Sequence, residues 1–176
     1  MDLHRSGVAL DHTDIRILAA LQRDASLSNQ ALAAAVHLSP APCLRRTRRL
    51  REEGYIGGIV ALLDRERLGF EVAAYAFVTL ETQRAGAGEQ FAEFVRRRPE
   101  VVECVRLSGA YDFLARIVVE SIAAYSAFLD RQLLRSPLVR AVNTSFELAV
   151  LKRTTELPLV TPRRGRPRRA PSVSAA

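Results

Sequence analysis

The stretch that most constrains this chain is residues 38–51, LSPAPCLRRTRRLR. It begins like a helix, because the Ser39 side chain is suited to cap free N–H groups and Pro40, at the first helical position, loses no hydrogen bond. Successive residues of a helix are rotated by ~100°, so the residues able to pack against other helices fall on one narrow side. That side carries Cys43, Thr47 and Leu50.

Arginines cover the opposite side of the same helix. Such a helix suits the major groove of DNA, and a merely solvated basic surface is the alternative. We expect Arg45, Arg48 and Arg49 to reach base edges or the adjacent phosphates. Further DNA contacts, mainly to the DNA backbone, are expected at the start and flanks of the helix, from Ser39, Pro40, Ala41, Arg46 and Arg51.

The chain has a net charge of +7, and the charge is concentrated. Residues 43–51 and residues 163–169 each hold five arginines and no acidic residue, which leaves the rest of the chain at −3. Two such clusters favour a polyanionic partner over general solubility.

Composition also excludes several classes of protein. No apolar run approaches the ~18 residues of a membrane helix, and no signal-peptide core is visible. Cys43 and Cys104 fall at apolar positions of different expected domains. We therefore expect free thiols in a reducing cytoplasm and no disulfide, metal site, cofactor or membrane partner.

Two short helices are expected before the arginine-rich one. The first is capped by Asp11 and carries Asp14 in its first turn, and the second is capped by Ser28 and ends at a tight turn at His37. The apolar face of the first helix carries Ile15, Leu18 and Leu21, widened by Ile17. This pattern predicts a helix-turn-helix whose third helix enters the groove.

Beyond the third helix the pattern becomes strand-like. Gly54 is placed to end the helix, residues 55–63 suggest a bend or wing, and residues 64–69 a connector. Strands are then expected at 72–80, 101–107, 113–119 and 139–150, with a loop at 86–88 and helices on either side of the middle pair of strands. The order β-α-β-β-α-β predicts a ferredoxin-like sheet with one uncovered face, which a second copy would bury.

Short motifs occur in a specific order and spacing between about residues 8 and 160: Leu10-Asp11 with Asp14, Leu38-Ser39-Pro40, Glu53-Gly54-Tyr55-Ile56, Leu68-Gly69, Pro99-Glu100-Val101, Gly109 with Asp112, Thr144-Ser145-Phe146 and Leu157-Pro158-Leu159. In these motifs the chain resembles the Lrp/AsnC (leucine-responsive/asparagine regulator) family of prokaryotic transcription factors. The resemblance implies dimers, often assembled further to octamers, that bind DNA and respond to an amino acid or related metabolite.

The resemblance also implies an effector site. It places the pocket at Gly109, Ala110, Tyr111 and Asp112, with Thr144 and Ser145 of the last strand nearby. Gly109 permits close backbone approach to a ligand, and the Asp112 carboxylate is suited to pair with a ligand ammonium. The alternative is a plain hairpin turn in which Asp112 bonds to its own backbone.

Three residues depart from the family pattern. His37 replaces a glycine of the turn, at some cost if that position requires positive φ, and a pH-sensitive phosphate contact is the less favoured interpretation. Ala31 replaces the glutamate of a capping box. Thr47 replaces a valine, and its hydroxyl is expected to bond to the backbone one turn earlier.

The second arginine cluster looks like an AT-hook. Its core is Arg164, Gly165, Arg166 and Pro167, an arrangement that lies in the narrow A·T minor groove. A generic basic tail that attracts phosphates is the equally weighted alternative.

We therefore expect an α+β protein. A winged helix-turn-helix domain is expected at 1–60 and a linker at 61–70. A ferredoxin-like βαββαβ domain for effector binding and oligomerisation is expected at 71–160, followed by a disordered basic tail at 161–176. The expected function is that of a cytoplasmic, sequence-specific transcriptional regulator rather than an enzyme. Its expected partners are double-stranded DNA, an effector and further copies of itself. The alternatives are a DNA-bending nucleoid protein and, less favoured, a tetrapyrrole decarboxylase of the kind found among some family-like proteins.

Overall fold

The computed structural model of the chain describes residues 10–81 and 86–159. These residues form two compact units. The first unit combines the described part of Met1–Ala61 with the segment that starts at Arg153, and the second is Leu62–Lys152. The expected basic tail at 161–176 lies outside the described residues.

The first unit is helical throughout its core. Its helices are α1 (His12–Arg23), α2 (Asn29–Ala35) and α3 (Pro40–Glu52). They enclose a small apolar core of Ile17, Leu32, Ala33, Val36, Cys43 and Leu50. The three residues predicted to form the packed side of α3 are buried, so the predicted three-helix arrangement is confirmed.

The start of α1 is a reciprocal cap. The Asp11 carboxylate accepts hydrogen bonds from the N–H groups of Thr13 and Asp14, and the Asp14 carboxylate accepts one from Asp11 N–H. The apolar face of α1 is centred on the fully buried Ile17 and not on Ile15, which is only partly buried. The observed apolar face is rotated relative to the expected one, because the buried Asp14 occupies part of the expected face.

Left-handed backbone conformations end α2 and α3. His37 has φ 56°, and the N–H groups of His37 and Leu38 donate to the carbonyls of Ala34 and Ala33. A non-glycine residue in this region is strained by about 1 kcal/mol. The position of His37 thus does require positive φ, the condition under which a cost was expected, and Gly54 (φ 78°) ends α3 as predicted.

Two hydrogen bonds expected in α3 do not form. Ser39 is the N-cap residue, but its side chain makes no capping bond, because Pro42 stands at the third helical position and has no N–H to donate. The Thr47 hydroxyl is buried and has no hydrogen-bond partner among the described residues. The expectations for both hydroxyls are therefore wrong.

Residues 55–63, expected to be strand-like and to form a bend or wing, contain no β-strand. The N–H groups of Tyr55 and Ile56 donate to the carbonyl of Leu50 at the end of α3. The segment leaves large apolar side chains exposed to solvent, namely Ile59, Val60, Leu62 and Leu63.

The second unit is a four-stranded antiparallel sheet with the order β2-β3-β1-β4. Its strands are β1 (Val72–Leu80), β2 (Val101–Arg106), β3 (Phe113–Val119) and β4 (Val139–Phe146). Its helices are α4 (Ala87–Arg96) and α5 (Ile122–Phe128), and a π-helical turn, Leu129–Leu133, follows α5. The predicted βαββαβ order is confirmed.

Three element boundaries differ from the expected ones. Gly86 (φ 91°) is the N-cap of α4, so the helix begins inside the expected loop at 86–88. β2 ends at Arg106 instead of residue 107. β4 ends at Phe146 instead of residue 150, although Glu147 N–H still donates to the carbonyl of Ala73 in β1.

The sheet has two different faces. Alternate residues of its two central strands pack against the helices: Ala74, Ala76, Val78, Phe113, Ala115, Ile117 and Val119. The opposite face carries Tyr75, Phe77 and Leu114, and no helix described in this unit covers it.

Both expected domain boundaries are displaced. Arg65 donates to two backbone carbonyls and pairs with Glu147 at 3.5 Å, so most of the expected linker at 61–70 belongs to the second unit. The backbone of Leu157 is hydrogen-bonded to Gln22 of α1, so the chain rejoins the first unit at Arg153, before the expected boundary at 160.

Replacing Thr47 by Val is expected to raise the free energy of unfolding by about 1 kcal/mol, because the change conserves shape and removes a buried hydroxyl without a partner. Chemical denaturation followed by circular dichroism measures the effect. Thr47→Ser is the control, since it keeps the hydroxyl and removes a methyl group, and it is expected to lower stability. Unchanged or reduced stability of Thr47→Val would show that the hydroxyl is satisfied in the folded protein.

Candidate nucleic-acid interface and effector site

Three arginines define the exposed face of α3. The side chains of Arg45, Arg48 and Arg51 are exposed and make no hydrogen bond or ion pair with any described residue. Ala41 lies beside Arg45 and Arg48 at helical spacing, and its short side chain leaves the first turn of the helix accessible. We call Arg45, Arg48 and Arg51 the arginine face.

The other two arginines of α3 are held by α1. The Asp14 carboxylate, only 1% exposed, accepts from Arg46 at 2.9 Å and from Arg49 at 2.6 Å. Arg46 also donates to Asp11 at 2.6 Å. The expectation that Arg49 points the same way as Arg45 and Arg48 is wrong, because the buried carboxylate draws it towards α1.

These contacts shift two ionisation equilibria. Hydrogen bonds from Arg46 to Asp11 and to Asp14 raise the pKa of Arg46. Burial alone would raise the pKa of Asp11, but hydrogen bonds from Asp14 N–H and from Arg46 outweigh it and lower that pKa. Asp11 therefore contributes stability that is complete above its unfolded-state pKa of ~4 and is lost as the pH falls through the lower folded-state value.

A shallow depression of about 260 Å³ lies beside the arginine face, lined by Asp11, Arg45, Arg46 and Arg49. Arg46 and Arg49 are only about a third exposed, at 29% and 33%, but they still border this depression. Three guanidinium groups around a concave surface can bind a phosphate through charge-assisted hydrogen bonds.

The start of α3 is also exposed. Ser39, Pro40 and Ala41 lie at the N-terminus of a 13-residue helix, where backbone dipoles favour anions. Because the Ser39 hydroxyl makes no capping bond, it is available to a phosphate oxygen. The expected contacts of the tail, from Arg164, Gly165, Arg166 and Pro167, lie outside the described residues.

The loop between β2 and β3 is the expected effector site. Gly109 has φ 135°, a conformation suited to glycine. One Asp112 carboxylate oxygen accepts a hydrogen bond from Leu80 N–H at 2.8 Å, and the Tyr111 ring lies 5.1 Å from that of Phe77. The Asp112 carboxylate therefore joins the loop to the end of β1.

The structure does not bring Thr144 and Ser145 to this loop within one chain. Asp112 bonds to Leu80, whereas Thr144 and Ser145 lie opposite Ala76 and Tyr75, further along β1. The Thr144 hydroxyl is instead 2.6 Å from that of Tyr125, and burial raises the pKa of this tyrosine. Adjacent residues alternate in direction along a strand, so Thr144 and Ser145 point to opposite faces of the sheet.

A cavity of about 500 Å³ adjoins the loop, on the side of the sheet where α4 lies. Arg106 and Phe113, which flank residues 107–112, line it together with Glu89, Arg96 and Glu103. Its volume is in the range of small-molecule sites, and its lining offers both signs of charge. Sequence reasoning missed this cavity, because Arg106 is separated from α4 along the chain.

The described part of the chain holds no cluster of histidine, cysteine or carboxylate side chains that could bind a metal ion. Among the same residues, no helix is long and apolar enough to span a membrane.

Comparisons with known proteins match both units of the chain. Residues 10–56 match the model of a winged helix-turn-helix DNA-binding family, and residues 73–157 match the Lrp/AsnC ligand binding domain. The transcriptional regulator AzlB of Bacillus subtilis is 37% identical over 153 residues, which cover 87% of this chain and 98% of the relative. The leucine-responsive regulatory protein of Escherichia coli is 36% identical over 157 residues, which cover 89% of this chain and 96% of the relative.

Solved structures give the same result. A transcriptional regulator from Neisseria meningitidis, crystallised as a complex with L-Met, matches with a TM-score of 0.82 and 38% identity. The match covers 85% of this chain and 97% of that one.

Replacing Asp14 by Asn is expected to destabilise the first unit by about 1–3 kcal/mol. This loss is smaller than that for a fully buried ion pair, because the partner side chains of Arg46 and Arg49 are partly solvated. Chemical denaturation measures the loss. The control is Asp24→Asn, which keeps an acceptor for the Ser26 backbone and hydroxyl and should change stability little. If both variants were equally stable, Asp14 would not fix the position of α3.

Proposed function

The chain belongs to the Lrp/AsnC family of DNA-binding transcription regulators, a family of regulators and not of enzymes, and we propose that it reads operator DNA through the arginine face of α3. One observation carries the proposal. The five arginines of α3 divide into two that are bound to acidic residues of α1 and three that have no partner among the described residues.

Arg45 and Arg48 are assigned to base edges. They lie close to the middle of the exposed side and are not held by other charges, so they are able to form the bidentate contact that arginine makes with guanine. Arg49 moves from this group to the phosphate-binding group, because Asp14 holds it at the edge of the helix.

The remaining contacts of α3 position the DNA backbone. Arg46 and Arg49 border the 260 Å³ depression, Arg51 lies at the end of the arginine face, and Ser39 with Pro40 and Ala41 presents the helix start to a phosphate. The tail residues Arg164, Gly165, Arg166 and Pro167 are proposed as a second DNA-binding element that enters the minor groove.

The effector is proposed to be an amino acid. The support is the family, the L-Met complex of the Neisseria relative and the 500 Å³ cavity beside the loop of Gly109, Ala110, Tyr111 and Asp112. Arg106 is suited to the α-carboxylate and Glu89 or Glu103 to the α-ammonium, while Asp112 fixes the loop. Thr144 and Ser145 would take part only from another copy of the chain.

Assembly from several copies of the chain is supported by exposed apolar surface. Two extended segments expose large aliphatic side chains to solvent: Val60, Leu62, Leu63, Leu148 and Leu151, the last 97% exposed. Exposed apolar surface on this scale is typical of interaction sites. We therefore infer that these segments and the uncovered sheet face are buried in a homo-oligomer, at least a dimer, that acts on chromosomal DNA in the cytoplasm.

Replacing Arg45 or Arg48 by Ala is expected to weaken binding to an operator selected from genomic fragments by about 5- to 150-fold, corresponding to ~1–3 kcal/mol. Binding to random DNA should fall less, because base contacts add nothing there. Fluorescence anisotropy with both duplexes measures the two losses. The matched control is Arg97→Ala, a surface arginine of the second unit. Equal losses on both duplexes would make these arginines phosphate contacts and favour a DNA-bending architectural protein of low specificity.

A screen of L-amino acids is expected to give one that raises the melting temperature, since a ligand at 100 times its Kd stabilises the native state by ~2.7 kcal/mol. Arg106→Ala should abolish this increase and leave DNA binding without effector unchanged. Arg97→Ala again serves as the control, since Arg97 does not line the cavity. An undiminished increase in Arg106→Ala would exclude the cavity as the effector site.

A further inference from the structure

The backbone at Gly88 does not require a glycine. Gly88 lies in the first turn of α4 and lacks the positive φ that favours glycine, unlike Gly86 just before the helix. Glycine is among the least favourable residues in a helix, because it loses the most backbone freedom on folding. The conformation of the chain therefore favours alanine over glycine at this position.

The space around Gly88 does not require a glycine either. A Cβ added to Gly88 would lie 3.7 Å from Nη1 of Arg106 and 3.7 Å from Cζ of Phe113. Both are ordinary van der Waals distances to side-chain atoms, so a methyl group would fit and make attractive contacts. The glycine thus leaves a gap the size of a methyl group between α4 and the side chains of two strands.

This gap is part of the 500 Å³ cavity, because Gly88, Arg106 and Phe113 all line it. Arg106 and Phe113 are paired residues of β2 and β3, and their side chains point to the face of the sheet where α4 lies. With glycine at position 88, the side of the Arg106 guanidinium that faces α4 is open to the cavity.

The charged side chains that line the cavity do not neutralise one another. Those of Arg106, Glu89 and Glu103 make no hydrogen bond or ion pair with any described residue. Arg96, another cation of the lining, is paired with Glu93 at 2.7 Å. An unpaired guanidinium with separate unpaired carboxylates suits a zwitterion, whose own carboxylate binds the arginine.

We propose that Gly88 is the residue that admits the carboxylate of the effector to Arg106. The inference rests on the proposed function, in which this cavity binds an amino acid. A methyl group at position 88 would touch the guanidinium and cover its open side, so a carboxylate oxygen would no longer reach it from there. The missing side chain serves binding at a cost in stability, as is common for residues of functional sites.

Replacing Gly88 by Ala is expected to change stability and binding in opposite directions. Without amino acid the melting temperature should rise by about 2–8 °C, because alanine fits the helix and restricts the unfolded chain. The proteinogenic L-amino acids, starting with L-methionine, are tested by titration calorimetry on the wild-type chain. Affinity for the amino acid that binds most tightly should fall about 10-fold or more in Gly88→Ala.

The C-terminal amide of the same amino acid tests whether this loss concerns the carboxylate. The amide has nearly the same shape but lacks the negative charge. The wild-type chain is expected to prefer the acid by about 10- to 150-fold, the range for hydrogen bonds to charged groups. This preference should nearly disappear in Gly88→Ala and in Arg106→Ala, and the double variant should bind no more weakly than Arg106→Ala alone.

Two controls locate the effect. Gly57→Ala makes the same substitution at a glycine that also lacks positive φ, has open space around it and lies outside the cavity, so affinity should stay unchanged. Cys104 lines the cavity, whereas Cys43 is fully buried, so alkylation labels Cys104 and a bound amino acid should slow it. The labelling is done at alkaline pH, because burial raises the pKa of the Cys104 thiol.

The other outcomes separate the inference from the proposed function. If Gly88→Ala binds as tightly as the wild type and Arg106→Ala does not, the cavity is the effector site and the role of Gly88 is refuted. Lower stability of Gly88→Ala, or losses that add in the double variant, would also refute it. If no amino acid binds, or a bound one leaves the alkylation of Cys104 unchanged, the proposed effector site fails, and the role of Gly88 with it.

Discussion

The carboxylate of Asp14 is the interaction on which the DNA-binding unit depends. It is nearly inaccessible to solvent, yet it bonds to the backbone at the start of α1 and to two guanidinium groups of α3. A buried charge is costly unless it is paired, so this carboxylate requires Arg46 and Arg49 to lie against α1. The rotation of α3 about its axis follows from that requirement, and Arg45, Arg48 and Arg51 are left exposed.

The second unit depends on a different constraint, the alternation of side chains along its strands. Small residues such as Ala74 and Ala76 face the helices and let them pack closely on the sheet. Tyr75 and Phe77 point the other way, so the same strand offers an apolar surface to another molecule. The chain passes between the units twice, after Ala61 and again after Lys152. The structure of each unit explains how one chain can combine DNA binding with an effector site.

Local patterns predicted most of the fold. Caps at Asp11 and Ser28, the glycine at 54 and the alternating strands all act over a few residues, and each of these elements is present. The failures concern positions that depend on distant residues. The direction of Arg49 depends on Asp14, 35 positions away, and the local pattern indicates only that Asp14 lies in the first turn of α1. The capping box that Asp14 forms with Asp11 was the available signal, since it turns that carboxylate towards the helix start.

The sites show the same limit. Asp112 bonds to Leu80, 32 positions away, and the cavity lined by Arg106 combines a helix with two strands. The Gln22 amide bonds to Leu157, and nothing near either residue predicts the other. The family resemblance indicates the kind of site in each unit. It does not indicate which side chains the fold brings together there.

Methylation interference on the bound operator is the measurement that tests direct reading of bases by α3 most directly. Methylation of guanine N7 blocks the major-groove atom that arginine contacts. The account predicts that methylation at a few guanines within one bounded site prevents binding, and that Arg45→Ala or Arg48→Ala removes the effect at particular guanines. Interference from phosphate ethylation alone, with no guanine sensitive to methylation, would contradict it.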